Sequence, residues 1–334
     1  YQFNGKKSSG ELTVEEKYVS QIEGAKFQEE AYHLLITKKG ILLEATTPKG
    51  MYWGRQTLEQ LKTTKNKKIY LPQCEITDWP AFRIRGFMHD VGRSFIPVEE
   101  LKREISLLSR YKINVFHWHL TENQAWRLEC KKYPQLNAPE NMEREKGKYY
   151  TLEEARQLVE FCKQHQVLLI PEIDMPGHSA AFERTFKTDM QSEKGTQILK
   201  DIIDEVCATF DVPYLHIGTD EVQFTNPDFV PMMVKYIRDK GKKVISYNPG
   251  WNYKPGEIDM TQLWSYRGKA QKGIPAIDCR YHYANHFDTY ADQVAMFNSR
   301  IYNQPEGSDD LAGCIVAFWN DRFIDNTPQL LAEN

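Results

Sequence analysis

Between residues 81 and 321 the chain alternates short apolar runs with amphipathic, charge-rich stretches, and this repeat leaves few architectures open. Strands buried in a parallel sheet read as near-continuous apolar runs, and the stretches between them read as helices that cover it. Eight runs qualify: 83–90 (RIRGFMHD), 113–120 (INVFHWHL), 167–174 (VLLIPEID), 214–220 (YLHIGTD), 243–248 (KVISYN), 260–266 (MTQLWSY), 275–281 (PAIDCRY) and 313–319 (GCIVAFW). Helices are predicted at 97–111 with Pro97 near its start, at 151–165 opened by Thr151 with Glu154 three positions on, and at 195–210, 227–240 and 288–299. The connections of the fifth to seventh strands are rich in Gly and Pro, and no helix is readable there. Eight such units predict an α/β fold, a (β/α)8 TIM-type barrel of about 250 residues.

A chain of 334 residues leaves room for a smaller module before the barrel, and the pattern changes where one is expected. Segments 31–37 (AYHLLIT) and 40–46 (GILLEAT) read as a strand pair, 51–62 (MYWGRQTLEQLK) as a helix and 63–68 (TTKNKK) as a polar loop. The expected division is an α+β domain over 1–78 and the barrel over 79–334.

Composition removes several functions. Lys+Arg 43 against Asp+Glu 46 gives a net charge of -3 with no basic stripe, which argues against a nucleic-acid partner. No apolar stretch approaches the roughly 20 residues that span a bilayer. Starting at Tyr1 without an initiator Met, the sequence reads as a trimmed or mature form. The six cysteines form no CxxC pair or Cys/His cluster, so free thiols are expected and neither a zinc site nor a cofactor is. Aromatics make up 12% of the chain, and aromatic faces suit sugar rings.

In a barrel of this type the chemistry sits where the strands end. The first run ends in Asp90 and leads to Arg93; the second ends in His117, Trp118 and His119 and leads to Glu122. The third ends in Glu172 and Asp174 and leads to His178, and the fourth ends in Asp220 with Glu221 next. The later runs deliver Tyr247, Trp264, Tyr281 to Asn285, and Trp319 with Asp321. Acids and aromatics without a phosphate-binding glycine loop point to glycoside chemistry, in which carboxylates handle an oxocarbenium-like transition state. A metal held by His117, His119, Asp174 and His178 is the competing reading. Against it, His117 and His119 share one strand face at a wide separation.

The stretch 214–222 (YLHIGTDEV) resembles the HxGxDE signature of family 20 glycoside hydrolases. In the same order along the chain, 54–61 (GRQTLEQL), 85–93 (RGFMHDVGR), 115–127 (VFHWHLTENQAWR), 171–178 (PEIDMPGH), 262–268 (QLWSYRG), 279–285 (CRYHYAN) and 313–321 (GCIVAFWND) are similar to further segments of that family. The resemblance spans about residues 30–325. It implies a retaining exo-β-N-acetylhexosaminidase acting on glycans with terminal β-linked N-acetylglucosamine or N-acetylgalactosamine. The nucleophile would be the substrate's own acetamido oxygen, with an oxazolinium-like intermediate.

By the same resemblance Glu221 is the general acid and later the base, its proton held by a neighbouring anion and partial burial. Asp220 orients the acetamido group, His178 backed by Glu122 supports the acid, and Tyr283 donates its hydroxyl to the acetamido oxygen. Arg93 and Asp321 bind ring hydroxyls, Trp264, Trp319 and Tyr247 wall in the acetamido methyl, and His119 and Asn285 complete the substrate-binding set. A secreted, periplasmic or surface-associated location is implied as well.

Three departures from the family pattern stand out. Tyr247 occupies a position that is usually Trp, Glu122-Asn123 replaces Asp-Asp, and Asn285, where many members have Asp, precedes His286. A neutral residue with a basic neighbour predicts tolerance of a 6-sulfate on the terminal sugar. Two alternatives remain at this point: a lacto-N-biosidase-like hydrolase releasing a disaccharide, to be decided by the loops around Trp251 and Arg267, and a non-catalytic carbohydrate-binding protein, which the intact Asp220, Glu221 and Tyr283 oppose.

Overall fold

In the computed structural model, which describes residues 2–3, 13–285 and 291–321, the chain divides into two units: Tyr1–Ala81 with Ser109–Lys112, and Phe82–Leu108 with Ile113–Asn334. The first unit contains β1 (Gln2–Phe3), β2 (Val14–Tyr18), β3 (Tyr32–Ile36), β4 (Ile41–Ala45), α1 (Pro48–Leu61), β5 (Thr63–Lys65), β6 (Lys68–Leu71) and β7 (Cys74–Asp78). Strands β3 and β4, expected as a strand pair, form an antiparallel hairpin within a sheet ordered β2-β4-β3-β7. Their alternation buries Tyr32, Leu34, Ile36, Ile41, Leu43 and Ala45 against Met51, Trp53 and Leu58 of α1. The helix starts earlier than its apolar residues suggest, because Thr47 caps it by accepting from Gly50 N at 3.1 Å and Pro48 fits its first turn.

Residues 63–68 correct the expectation of a polar loop: β5 and β6 pair antiparallel across Asn66 and Lys67, both at positive φ. Such a turn matches the twist of a hairpin. Apolar alternation could not reveal it, since most of these residues are exposed.

The second unit is a closed parallel barrel of β8 (Ile84–Asp90), β9 (Val115–His119), β10 (Leu168–Glu172), β11 (Tyr214–His216), β12 (Lys243–Asn248), β13 (Met260–Leu263), β14 (Ala276–Asp278) and β15 (Leu311–Phe318). All eight predicted strands are present, in a TIM-type barrel. Its helices are α2 (Val98–Arg110), α3 (Leu152–Gln164), α4 (Ala180–Phe186), α5 (Glu193–Thr209), α6 (Phe229–Asp239) and α7 (Gln293–Asn298). The capping box at α3 is complete: Thr151 Oγ1 accepts from Glu154 N at 3.1 Å, and Glu154 Oε2 accepts from Thr151 N at 2.8 Å. The short α4 has no counterpart in the sequence reading, and part of the predicted 288–299 helix lies outside the described residues. No described helix is long and apolar enough to cross a membrane, and all six cysteines are free.

Strand alternation sorts the core into layers. Met88, Val115, Ile170, Ile245, Ile277 and Ile315 fill the barrel interior, whereas Phe116, Trp118 and Leu169 belong to the cluster that includes residues of the surrounding helices. Parallel register then sets Asp90 opposite His119, His119 opposite Glu172, and Glu172 opposite His216. The inward row that is apolar at the bottom of the barrel is therefore polar at the C-terminal ends of these strands.

Candidate active site

The polar row converges on one carboxylate. Glu172 Oε2 lies 2.7 Å from His117 Nε2 and 2.8 Å from His119 Nδ1, and it accepts from the Tyr247 hydroxyl at 3.1 Å. His216 Nδ1 approaches Oε1 at 3.3 Å. Burial alone would raise the Glu172 carboxyl, but the surrounding imidazoles, His119 foremost, overcome it and hold the group well below the usual carboxylate range. The histidines divide the proton unequally. Burial pushes His117 down to about 4; His119 resists the same burial because Glu172, Asp90 and Asp174 raise it to about 9. His119 is thus the cation of this layer and His117 its neutral member.

Two further acids are buried beside this centre. One oxygen each of Asp174 and Asp220 and a His178 ring nitrogen lie within 4.8 Å of one another. Burial and then the charge of Asp220 raise Asp174 well above the carboxylate range. Burial also pushes Asp220 up to about 7, with His178 opposing and Glu172 adding to the push. Two carboxyls this close cannot both ionise cheaply, so the pair retains a proton that two separate carboxylates would have released. Among the described residues Asp220 Oδ1 has no hydrogen-bond partner.

Glu221, the next residue, faces the other way. Its side chain is 58% exposed, far more open than that of Asp220. His178 Nε2 stands 3.4 Å from Glu221 Oε2, and His178 Nδ1 stands 2.6 Å from the buried Glu122 Oε1. Against the pull of burial, Glu122, Asp174 and Asp220 raise His178 to about 10. Glu122 Oε1 also receives Arg93 Nη2 at 2.7 Å. The Arg93 fork is completed by Asp90 Oδ2 at 2.9 Å and Asp321 Oδ1 at 3.3 Å, and its guanidinium lies 5.3 Å from the centre of the Trp319 ring. Arg93, Glu122, His178, Glu221, Asp321 and Trp319 are thereby joined in one network.

The backbone here is unusual for its residue types. Thr219 at φ 81°, Glu221 at φ 47° and His178 at φ 48° all lie in the left-handed region, which a β-branched threonine adopts at a cost of about 1–3 kcal/mol. Gly218 also sits at positive φ, and a Cβ on it would fall 1.7 Å from Asp174 Oδ1, so only glycine fits the turn between the two acids.

The remaining expected residues are placed differently from one another. Trp264 donates from Nε1 to Pro249 O at 2.7 Å and, with Glu221 and Tyr283, lines a cavity of about 900 Å³. The Tyr283 hydroxyl donates to Trp264 O at 2.7 Å. Tyr247, expected as a wall, is 1% exposed and reaches down to Glu172 instead. Asn285 spends its amide on the backbone of Trp319, with Oδ1 accepting from Trp319 N at 2.9 Å and Nδ2 donating to Trp319 O. The charge argument for a 6-sulfate assumed that this side chain faces a ligand; it holds Trp319, and His286 lies outside the described residues. Trp251 makes an edge contact with Phe224, which lines the cavity, at 4.9 Å between ring centres.

The family resemblance gives no role to Glu172, His117, His216 or Asp174. The separation of His117 and His119 along β9 was read as keeping them apart, yet both rings reach the same Glu172 oxygen from the neighbouring strand. Their period-two spacing was the available signal. Three groups have ligand atoms close enough to invite a metal: His117-Glu172-His216, His119-Glu172-Asp174 and Asp174-His178-Asp220. Donors around a tetrahedral zinc with bonds of 2.0–2.1 Å sit about 3.3 Å apart. The contacts of 2.7 and 2.8 Å at Glu172 are tighter than that and suit imidazole-carboxylate pairs.

Known proteins share both units. The profile of the glycosyl hydrolase family 20 catalytic domain matches residues 82–191 and 182–254, and that of the family's domain 2 matches residues 3–79. A beta-hexosaminidase of Porphyromonas gingivalis is 35% identical over 259 residues, covering 68% of this chain and 33% of that protein. One of Vibrio furnissii is 36% identical over 230 residues, covering 58% of this chain and 38% of the other. The chain thus spans between a third and two fifths of the length of these relatives. The crystal structure of a beta-N-acetylhexosaminidase from Bacteroides fragilis superposes with a TM-score of 0.78 at 25% identity, covering 95% of this chain and 75% of that one. With the catalytic-domain profile alone matched over more than half of its residues, the chain belongs to glycosyl hydrolase family 20.

Proposed function

We infer that the chain is a retaining exo-β-N-acetylhexosaminidase that removes terminal β-linked N-acetylglucosamine or N-acetylgalactosamine, with residues 1–78 as the family's accessory domain and 79–334 as the catalytic barrel. The observation that carries this reading is the contrast at two consecutive residues. Asp220 is buried with one carboxylate oxygen unpartnered among the described residues, and Glu221 is exposed and backed by His178 and Glu122.

Each group then has one task. Glu221 protonates the glycosidic oxygen while the substrate's acetamido oxygen attacks the anomeric carbon from the opposite face, displacing the leaving sugar. Asp220 accepts the acetamido N-H through Oδ1 and, once ionised, faces the positive charge of the oxazolinium-like intermediate. Glu221 next removes a proton from water, which opens the intermediate with net retention. A positive charge forming beside Asp220 favours its ionised state, so the burial that raises it to about 7 is offset as the transition state develops. Tyr283 would exchange its bond to Trp264 O for one to the acetamido oxygen, and Trp264 and Trp319 would enclose the methyl. Arg93 and Asp321 would take ring hydroxyls.

The test is an assay of chromogenic β-N-acetylglucosaminide and its galacto epimer with free sugar and a disaccharide as product standards. Release of monosaccharide with retention is expected. Disaccharide release, or binding without turnover, would replace this reading by one of its alternatives.

A further inference from the structure

The cavity beside Glu221 is larger than one hexosamine ring needs, and most of its wall has no task in the chemistry above. At about 900 Å³ it stands near the top of the range for small-molecule sites. Besides Glu221, Trp264 and Tyr283 it is lined by Val222, Phe224, Tyr266, Tyr281 and Met296. Tyr266 and Tyr281 are among the exposed large hydrophobic residues of the protein although both border this cavity. Their rings offer flat faces of the kind on which sugar rings rest.

Among the described residues four charged ones line the cavity, Glu221, Asp292, Arg267 and Arg280, and a basic segment adjoins them. Residues 261–277 carry Arg267, Lys269 and Lys272 and no acid, in a chain whose net charge is -3. Two arginines line the cavity, and they differ. Arg280 is neutralised by Asp278, at 2.9 Å from Nε and 3.2 Å from Nη2. Arg267 is steadied by the Tyr266 hydroxyl, 3.1 Å from Nε, and forms no ion pair with a carboxylate among the described residues. Among the described residues its two terminal nitrogens have no hydrogen-bond partner and remain as a fork. The acid on the wall besides Glu221 is Asp292, whose carboxylate is engaged by Ala295 N at 2.8 Å at the start of α7.

We propose that this part of the cavity is a leaving-group subsite for an anionic sugar, whose ring rests on Tyr266 and Tyr281 and whose carboxylate or sulfate is gripped by Arg267. The proposal rests on the N-acetylhexosaminidase reading and names its substrate class: a terminal N-acetylhexosamine β-linked to a sugar that carries a negative charge. An arginine fork suits either anion, since both present paired oxygens in the geometry it matches.

The experiment compares kcat/KM at low salt for three disaccharides with the same terminal N-acetylglucosamine, on a neutral hexose, a uronic acid and a sulfated hexose. A chromogenic monosaccharide glycoside is run beside them as the readout of the chemistry itself. The wild type is expected to favour at least one anionic substrate over the neutral one by roughly five- to tenfold, the scale of a partly shielded ion pair. That ratio should fall toward one in Arg267→Gln, invert in Arg267→Glu, and shrink with added salt. Preference for the uronate alone, or the sulfate alone, identifies which anion is read. Turnover of the chromogenic glycoside with equal rates on all three disaccharides overturns the subsite and leaves the hydrolase standing, as does an anionic preference that survives Arg267→Glu. Failure to turn over any of the four overturns the hydrolase reading and this proposal with it.

Discussion

Asp220 and Glu221 are joined by one peptide bond and live in different solvents. Asp220 lies with Asp174 and Glu172 in a buried layer, where burial is the largest influence on each carboxyl. Glu221 lines the open cavity and meets that layer through His178 and Glu122. Burial suits a group that must hold an oriented charge against a developing cation, since a low dielectric strengthens that interaction. Exposure suits a group that must meet a leaving group, then a water. The left-handed backbone at Thr219 and Glu221 is the local device that turns adjacent side chains to opposite environments.

The most severe way to break this contrast is at the exposed member. Glu221→Gln keeps the shape and loses the proton, so kcat should fall by about 10²–10⁴ on substrates with poor leaving groups, with KM little changed. Near-normal turnover of a natural disaccharide by this variant would remove Glu221 from its role.

At the buried member, Asp220→Asn should lower kcat by about 10²–10³ and weaken an oxazoline-like inhibitor in parallel. It should also stabilise the fold in a pH-dependent way. A carboxyl held at about 7 in the native state and 3.8 when unfolded keeps a proton that the unfolded chain has released. Wild-type stability is therefore lost as pH rises from about 4 through 7, and the variant escapes that loss, worth on the order of a few kcal/mol. Melting curves at pH 4 and pH 8 should converge at the lower pH and separate at the higher. Equal melting temperatures at pH 8 would mean that Asp220 is not an uncompensated buried acid.

The link between the two regions is sharpened by His178→Gln, with an expected loss in kcat of roughly 10- to 100-fold, smaller than removal of the acid. His178 at about 10 in the fold, against 6.5 unfolded, stabilises the native state fully below pH 6.5, and that contribution disappears as pH rises through 10. The alkaline decline in stability should accordingly be shallower in the variant. An unchanged alkaline limb would show that His178 does not hold the extra proton.

The smallest effect is expected at Asn285→Asp. The new carboxylate would face Trp319 O without a donor to offer it, which costs about 1–3 kcal/mol and loosens Trp319. Lower stability with a modestly higher KM is the expected result; a variant as stable as the wild type would mean that the clasp on Trp319 contributes nothing.

What could be read before folding, and what could not, divides along the range of the forces involved. Short apolar runs separated by amphipathic stretches determine strands and helices locally, so all eight barrel strands and the α3 capping box were legible from the sequence alone. Strand ends are local too, which is why Asp90, His119, Glu172 and Asp220 could be placed on one rim. The β5-β6 hairpin escaped because its strands are largely exposed and carry no apolar alternation.

Only the closed barrel decided who meets whom across it. Parallel register set His119 beside Glu172, and Glu172 in turn drew His117, His216 and Tyr247 onto one carboxyl group. The same closure removed water from Asp220 and left it on Glu221, an assignment that the dipeptide does not contain. Side-chain alternation is a property of each strand, but desolvation and charge coupling belong to the enclosed volume, and no single segment of the sequence encloses it.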